Sequence, residues 1–320
     1  MKDDFYPYYS FINYNLHIII KLYWQHKKSN KTRLHTLENK KTEIFMQHNN
    51  ADFSVLMSVY TKEQPEYLRD SLTSIFNQTL TAKEVILIKD GPLTDELNAV
   101  IKQFEQEHKE LRVIPYKVNR GLGKCLNDGI KLCTYEIVAR MDTDDIAKPE
   151  RFDEEYNFLS THPEYDIVGS WIDEFISTTN NVIAKRKVPQ HHKDIYEYAK
   201  HRCPVNHPTV MYRKKAVLAV DGYLEKYFPE DYFLWIRMLM NGAKFYNINK
   251  SLLWFRYSPD TIKRRGGWKY AKDEAIIQYN IYKLGFINFT TMVENVMIRF
   301  STRILPHSIR KWIYKMIRTH

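Results

Sequence analysis

Between residues 53 and 145 the hydrophobic positions switch repeatedly between two periods. Phe53–Val59 (FSVLMSV) is a nearly continuous apolar run of strand length, and after Pro65 the residues Leu68, Leu72, Ile75 and Phe76 fall at i, i+4, i+7 and i+8. The first pattern predicts a buried strand and the second a helix with one apolar stripe. The alternation then recurs. Glu84–Lys89 (EVILIK) ends at Asp90-Gly91 and precedes a helical face of Leu97, Val100, Ile101 and Phe104; Leu111–Pro115 precedes a helix from about Gly121 to Cys133; Glu136–Met141 (EIVARM) runs into Asp142. This order predicts an α/β fold, an open, mostly parallel twisted sheet with helices on both faces. Ligands of such sheets bind beyond the carboxyl ends of the strands, where Asp90, Asp142, Asp144 and Asp145 all fall.

Further along, Asp166–Trp171 reads as a strand with Asp173 just beyond it, Asn206 and His207 fall on another, and Glu230-Asp231 precedes a helix over Tyr232–Leu239. From Gly285 two amphipathic segments are separated by Pro306. Val296, Phe300 and Ile304 share one face with Arg299 and Arg303 at its border; after the proline, Ile309, Ile313, Met316 and Ile317 alternate with Arg310, Lys311, Lys315 and Arg318. Such segments suit a helix lying in a membrane interface, and equally a helical hairpin packed on the preceding domain. At the other end, Phe11–Trp24 is too short and too polar to span a bilayer and reads as an interfacial segment or a loose extension, followed by a polar linker over 25–43. The expected organisation is an extension and linker over 1–50, a catalytic domain over 51–265 and a basic helical region over 266–320.

Charge sharpens this division. Of the formal +10, residues 1–50 hold 8 Lys/Arg against 4 Asp/Glu, residues 51–249 hold 26 against 30, and residues 250–320 hold 14 against 4. Basic ends around an acidic centre suit an anionic membrane surface better than nucleic acid, which normally needs a positive track across the binding cleft. Cys125, Cys133 and Cys203 lack CxxC spacing and an even count, which argues against a disulfide framework or zinc cage and for a reducing compartment. His191, His192 and His201 likewise lack metal-ligand spacing.

The most specific local signal is Met141-Asp142-Thr143-Asp144-Asp145. Alternate carboxylates at a strand end offer hard oxygen ligands to Mg²⁺ or Mn²⁺, ions that complete their shells with water and phosphate oxygens. Asp-rich strand ends are also good turn formers. Glu230-Asp231 has a plain alternative too, as an acidic helix start facing the dipole. Gly-Leu-Gly-Lys at 121–124 lacks the GxxxxGK[ST] spacing of a phosphate loop.

The ordered motifs SVLMSVY (54–60), KDGPL (89–93), NRGLGKCLNDGI (119–130), ARMDTDD (139–145), NHPTVMYRK (206–214) and PEDYFLWIR (229–237) resemble glycosyltransferase family 2, most closely its amylovoran-type exopolysaccharide enzymes. The resemblance covers about residues 53–265. It implies a GT-A, Rossmann-like fold and an inverting, metal-dependent transfer from a nucleotide-diphosphate sugar, with a UDP-hexose favoured, to a growing lipid-linked surface polysaccharide. With the basic flanks and amphipathic tail, the expected location is the cytoplasmic face of the cell membrane, bound through the basic C-terminal region, with no nucleic-acid partner. The resemblance also implies residue roles. Tyr60 to Glu63, Asp90, Asn119, Gly121, Asp142 and Thr143 would hold the nucleotide sugar; Asp144, with Asp142 and with Asp145 as the register alternative, would hold Mn²⁺ or Mg²⁺; Asp231 would be the general base, assisted by Glu230. A carboxylate at Asp90 can accept a hydrogen bond from a uracil imide N–H. The commoner pattern has Arg where this chain has Leu126, and Lys124 is the candidate replacement near the diphosphate. On the acceptor side stand Asp173, His207, Trp235, Arg237, Arg264 and Arg265, each with a structural alternative in core packing, ion pairing or a basic turn. A nucleotidyltransferase and an inactive membrane scaffold are the rival readings of the same residues.

Overall fold

A computed structural model of the chain describes residues 51–224, 229–257 and 267–304. The chain divides into two units, Met1–Ala51 and Asp52–His320. The expected N-terminal extension and linker, Arg264 and Arg265, and the segment after Pro306 lie outside the described residues.

The strands predicted from the apolar runs form the parallel half of one nine-stranded sheet. β1 (Phe53–Val59) lies between β2 (Glu84–Lys89) and β4 (Ile137–Arg140), and β3 (Leu111–Pro115) flanks β2, all in parallel register. These runs are apolar without alternation because both faces are covered. On one face Leu56, Ile86, Ile88 and Val138 meet Cys125, Leu126 and Ile130 of α3 (Leu122–Leu132). On the other, Phe53 meets Phe152 edge-on, from α4 (Arg151–Thr161). α1 (Pro65–Phe76) and α2 (Asp95–Glu107) bury the stripes the spacing predicts: Leu68, Leu72 and Ile75, and Leu97, Val100, Ile101 and Phe104. Each such side chain contributes roughly 1.5–3 kcal/mol when fully buried.

Beyond β4 the sheet becomes mixed. β8 (Met211–Arg213) runs antiparallel to both β4 and β6 (Ile167–Phe175), β9 (Phe245–Arg256) is parallel to β6, and β5 (Ile146–Ala147) and β7 (Val182–Arg186) pair antiparallel with β9 and β6. Two sequence expectations change here. Asp173 lies inside β6 instead of after it, because pairing with β7 and β9 carries the strand on to Phe175. Asn206 and His207 are not in a strand: His207–Thr209 is a 3₁₀ turn, with Thr209 N–H donating to the Asn206 carbonyl at 2.9 Å. Pro208 explains this, since it brings a fixed φ and no N–H for a ladder.

α5 (His192–Ala199), the short α6 (Lys214–Leu218) and α7 (Glu230–Met240) cover this half. They are followed by α8 (Trp268–Lys283) and α9 (Phe289–Ile304). Of the two segments expected from Gly285, only the first, α9, lies among the described residues, and it packs with α8 against the preceding domain. Ile277, Ile281, Phe286 and Ile287 join the core containing Ile195, Phe233 and Ile236, Asn295 donates to the Lys200 carbonyl at 2.8 Å, and Arg299 donates to the His201 carbonyl at 2.6 Å.

One backbone position governs how β2 meets the segment before α3. Gly91 has φ +87°, and a Cβ there would lie 2.7 Å from the Asn119 nitrogen, a backbone atom that cannot swing aside. Gly91→Ala should therefore lower unfolding stability by roughly 1–3 kcal/mol, from left-handed strain plus overpacking, as read by urea denaturation. An unchanged midpoint would mean that this approach is not constrained.

Candidate active site

At the carboxyl end of β2 the Asp90 carboxylate closes a loop. Its Oδ1 accepts from the Arg120 amide at 2.6 Å; its Oδ2 accepts from Asn119 Nδ2 at 2.9 Å and from the Gly121 amide at 3.0 Å. The Cys125 thiol, on the first turn of α3, also bonds this carboxylate. The Asp90 amide donates to the Val59 carbonyl at 2.8 Å, which ties this clasp to the end of β1 and the Tyr60–Glu63 loop. Tyr60 stands exposed there. Glu63 turns inward and accepts from the Thr143 hydroxyl at 2.8 Å; burial raises its pKa.

The carboxylates of Asp142, Asp144 and Asp145 offer oxygens all within 4.8 Å of one another. Asp142 is held from below by an ion pair with Arg140, whose side chain is 1% exposed. Burial, then Asp142 and Glu63, push Asp144 up to about 7. Asp145 is fully buried and held well above the ordinary carboxylate range by burial and by Asp144; its Oδ1 accepts from the Arg256 amide at 2.9 Å while Oδ2 has no partner among the described residues. Three crowded carboxylates and an orphaned buried oxygen are a donor set that a hard divalent cation fits. The backbone of this loop is pinned independently. Ser71 Oγ donates to the Asp142 carbonyl at 2.8 Å, and Arg256 Nε donates to the Asp144 carbonyl at 2.9 Å while its other end pairs with Asp70 and lies over the Tyr67 ring.

Glu230 and Asp231 open α7. Burial and then Asp231 raise Glu230 to about 7, and Arg140 and Asp142 also act on it, so the two acidic groups share one electrostatic field. Asp231 Oδ1 accepts from the Tyr232 amide at 2.8 Å; Oδ2 lies 3.9 Å from Cys203 Sγ and 4.0 Å from His207 Nδ1. His207 is held neutral by burial, which pushes its pKa well below the usual value, and its Nε2 pairs with the Tyr223 hydroxyl at 2.8 Å. The start of α3 closes the other side, where a Cβ on Gly123 would sit 3.6 Å from the Glu230 side chain.

The strands and the helix α7 thus bring Tyr60, Glu63, Asp90, Asn119, Gly121, Asp142, Thr143, Asp144 and Asp145 to one rim, facing Glu230, Asp231 and His207. Four expected residues do other work. Lys124 pairs with Asp128 at 2.7 Å, one helical turn on. The Asp173 carboxylate is held by Lys148, Lys185 and Ser251. Trp235 is fully buried in the core against His207, Tyr223 and Phe245. Arg237 binds the Val220 and Gly222 carbonyls and so secures the turn leading into Tyr223.

The glycosyl transferase family 2 profile matches residues 54–220. The chain belongs to glycosyltransferase family 2. Among its relatives, the Escherichia coli UDP-Gal:alpha-D-GlcNAc-diphosphoundecaprenol beta-1,3-galactosyltransferase is 38% identical, over 83% of this chain and 96% of its own length. The Erwinia amylovora amylovoran biosynthesis glycosyltransferase AmsE is 36% identical, over 83% of this chain and 99% of its own. The fold is shared with Staphylococcus aureus TarS 1-349 in complex with UDP-GlcNAc (TM-score 0.54, 18% identity, 79% of this chain and 72% of that one). It is also shared with the Pyrobaculum calidifontis mannosyltransferase PcManGT in complex with GDP-Man and Mn²⁺ (TM-score 0.54, 11% identity, 84% and 80%). This family 2 transferase therefore has the GT-A fold that its motifs implied.

Three residues of its site escape sequence reasoning: Arg140, Tyr223 and Arg256. Arg140 left a signal, as the lone charge inside the buried run EIVARM. Arg256 left none, lying more than a hundred residues from the carboxylates it secures.

Because Asp144 is raised to about 7, protons compete with a cation for it below neutrality. Mn²⁺ affinity measured by calorimetry should rise from pH 5.5 to about 7 and then level off. An affinity flat across that range would mean Asp144 keeps its ordinary pKa.

Proposed function

We propose that this protein transfers a sugar from a UDP-sugar to a lipid-diphosphate-linked glycan, with inversion at the anomeric carbon, at the cytoplasmic face of the cell membrane. The observation that carries the reading is the pair of acidic clusters within one field: three carboxylates suited to a cation at the end of β4, and Glu230-Asp231 at the head of α7. The names of the relatives in E. coli and E. amylovora support a lipid-linked, polysaccharide-building acceptor. A carboxylate at Asp90 is the acceptor type that a uracil imide N–H would need.

In this reading Asp90 and the Tyr60–Glu63 loop orient the nucleotide, Asn119 and Gly121 shape the wall of its pocket, and Asp142 with Thr143 lies along the ribose and diphosphate. A Mn²⁺ or Mg²⁺ ion held by Asp144 and Asp142 supplies, when bound, positive charge that stabilises the departing diphosphate. Asp145, buried and bonded to the Arg256 amide, anchors the loop. Asp231 takes the proton of the acceptor hydroxyl as that oxygen forms a bond to the anomeric carbon, and the bond to the diphosphate oxygen breaks on the opposite side with its electron pair leaving on UDP. Neutral His207, held by Tyr223, flanks Asp231 without competing for that proton. Glu230 lines the same wall, on the acceptor side.

Asp231→Asn should keep donor binding and lower transfer to a GlcNAc-diphosphate-lipid analogue by about 10²–10⁴-fold, read as UDP release. Asp144→Ala should abolish metal-stimulated turnover. NMR of the product formed from an α-linked donor should show a β-linkage. Full transfer by Asp231→Asn would remove it as the base, and an α-linked product would overturn inversion.

A further inference from the structure

The α8–α9 hairpin is a packed part of the molecule, yet its outward side is unusually apolar. On α8 the residues Trp268, Lys272, Ile276, Tyr279 and Lys283 recur at helical spacing along the exposed face; Trp268 is 67% exposed and Tyr279 48%. On α9 the exposed row is Phe289, Val293 and Met297, with Phe289 61% and Met297 64% exposed. Ring contacts join the two rows at both ends: Tyr282 meets Phe289 edge-on, and Trp268 meets Phe300. The opposite side of the hairpin is anchored in the core by Ile277, Ile281, Phe286 and Ile287. The exposed face is thus a rigid platform, and the spacing of its residues follows from helices already fixed from behind.

A contiguous exposed patch that mixes aromatic and aliphatic groups with lysines marks a contact surface. Its chemistry selects the occupant. Trp and Tyr rings are favoured at the level of lipid headgroups, lysine stems lie along an apolar layer while their ammonium groups reach anionic phosphates, and neither helix is long and apolar enough to cross a bilayer. Of the described acidic residues here, Glu274 is buried and paired with Arg299, Asp273 lies off the lysine-bearing stripe, and Glu294 is the one exposed acidic group beside the α9 row, next to Val293. By sequence this end of the chain is basic, with 14 Lys/Arg against 4 Asp/Glu from residue 250 onward.

We infer that the outer face of α8–α9 is the membrane-docking surface of this protein, and that it lies flat on anionic phospholipid with Trp268, Phe289 and Met297 inserted and Lys272 and Lys283 on the headgroups. This rests on the membrane location proposed above and assigns it to a folded surface rather than to the segment after Pro306.

The test is sedimentation of the full-length chain with vesicles of 70% phosphatidylcholine and 30% phosphatidylglycerol, beside pure phosphatidylcholine. Wild type should bind the anionic vesicles, less so at high salt. K272E/K283E should weaken binding at least about tenfold, given the contribution of each lysine near an anionic surface. F289S/M297S should weaken it at low and high salt alike. Both variants should keep wild-type thermal melts and wild-type turnover on a water-soluble acceptor analogue, a readout that fails separately if the transferase reading is wrong. Binding unchanged in both variants would overturn the assignment, as would a wild-type dimer in sedimentation velocity that the same substitutions dissociate.

Discussion

A buried guanidinium beneath a crowd of carboxylates is the constraint on which the site rests. Like charges about 4 Å apart repel by about 4 kcal/mol at the effective dielectric near a protein surface. Asp142, Asp144 and Asp145 sit that close, with Glu63 and Glu230 in the same field. Arg140 pairs with Asp142 from inside the sheet and lowers the electrostatic cost for Asp144, Asp145 and Glu230 together. Its position on β4 is no accident of the loop, because the strand is locked between β1 and β8. Burial first, and the residual repulsion after it, raise the carboxyl pKa values of Asp144, Asp145 and Glu230, and a divalent cation would offset the repulsion.

Around that centre the molecule uses two helix starts and one strand end as fixed supports. Asp90 spends three of its acceptor positions on the entry to α3, whose first turn then abuts Glu230 at the entry to α7. Trp235 and Arg237, on α7 itself, do not reach into the cleft; one fills the core beneath His207 and the other grips the turn leading to Tyr223. They act on the site through what they hold.

The parallel half of the fold was legible because burial on both faces writes an unbroken apolar run, and amphipathic helices write a stripe. Phe53–Val59, Glu84–Lys89 and Leu111–Pro115 are found with the bounds expected. The mixed half was less so: β8 has three residues and β5 two, too short for a period, and pairing with distant strands extended β6 past Asp173. The acidic clusters were legible as local motifs. The fate of Lys124 was not, because an i+4 partner at Asp128 competes for it at 2.7 Å, and neither was the role of Arg256, which only tertiary structure brings to Asp144 and Asp145. The C-terminal segment showed its amphipathicity in sequence, but which side is covered depends on a core made by α5 and α7.

The Arg256 latch has a consequence for biogenesis. Residues 54–220 contain the whole family match and every carboxylate of the Asp142–Asp145 loop, yet that loop lacks the amide for Asp145 and the guanidinium for the Asp144 carbonyl until β9 is added. A nascent chain emerging from the ribosome therefore carries the motif well before it carries the site. The supports of the loop are complete only once β9 has been synthesised.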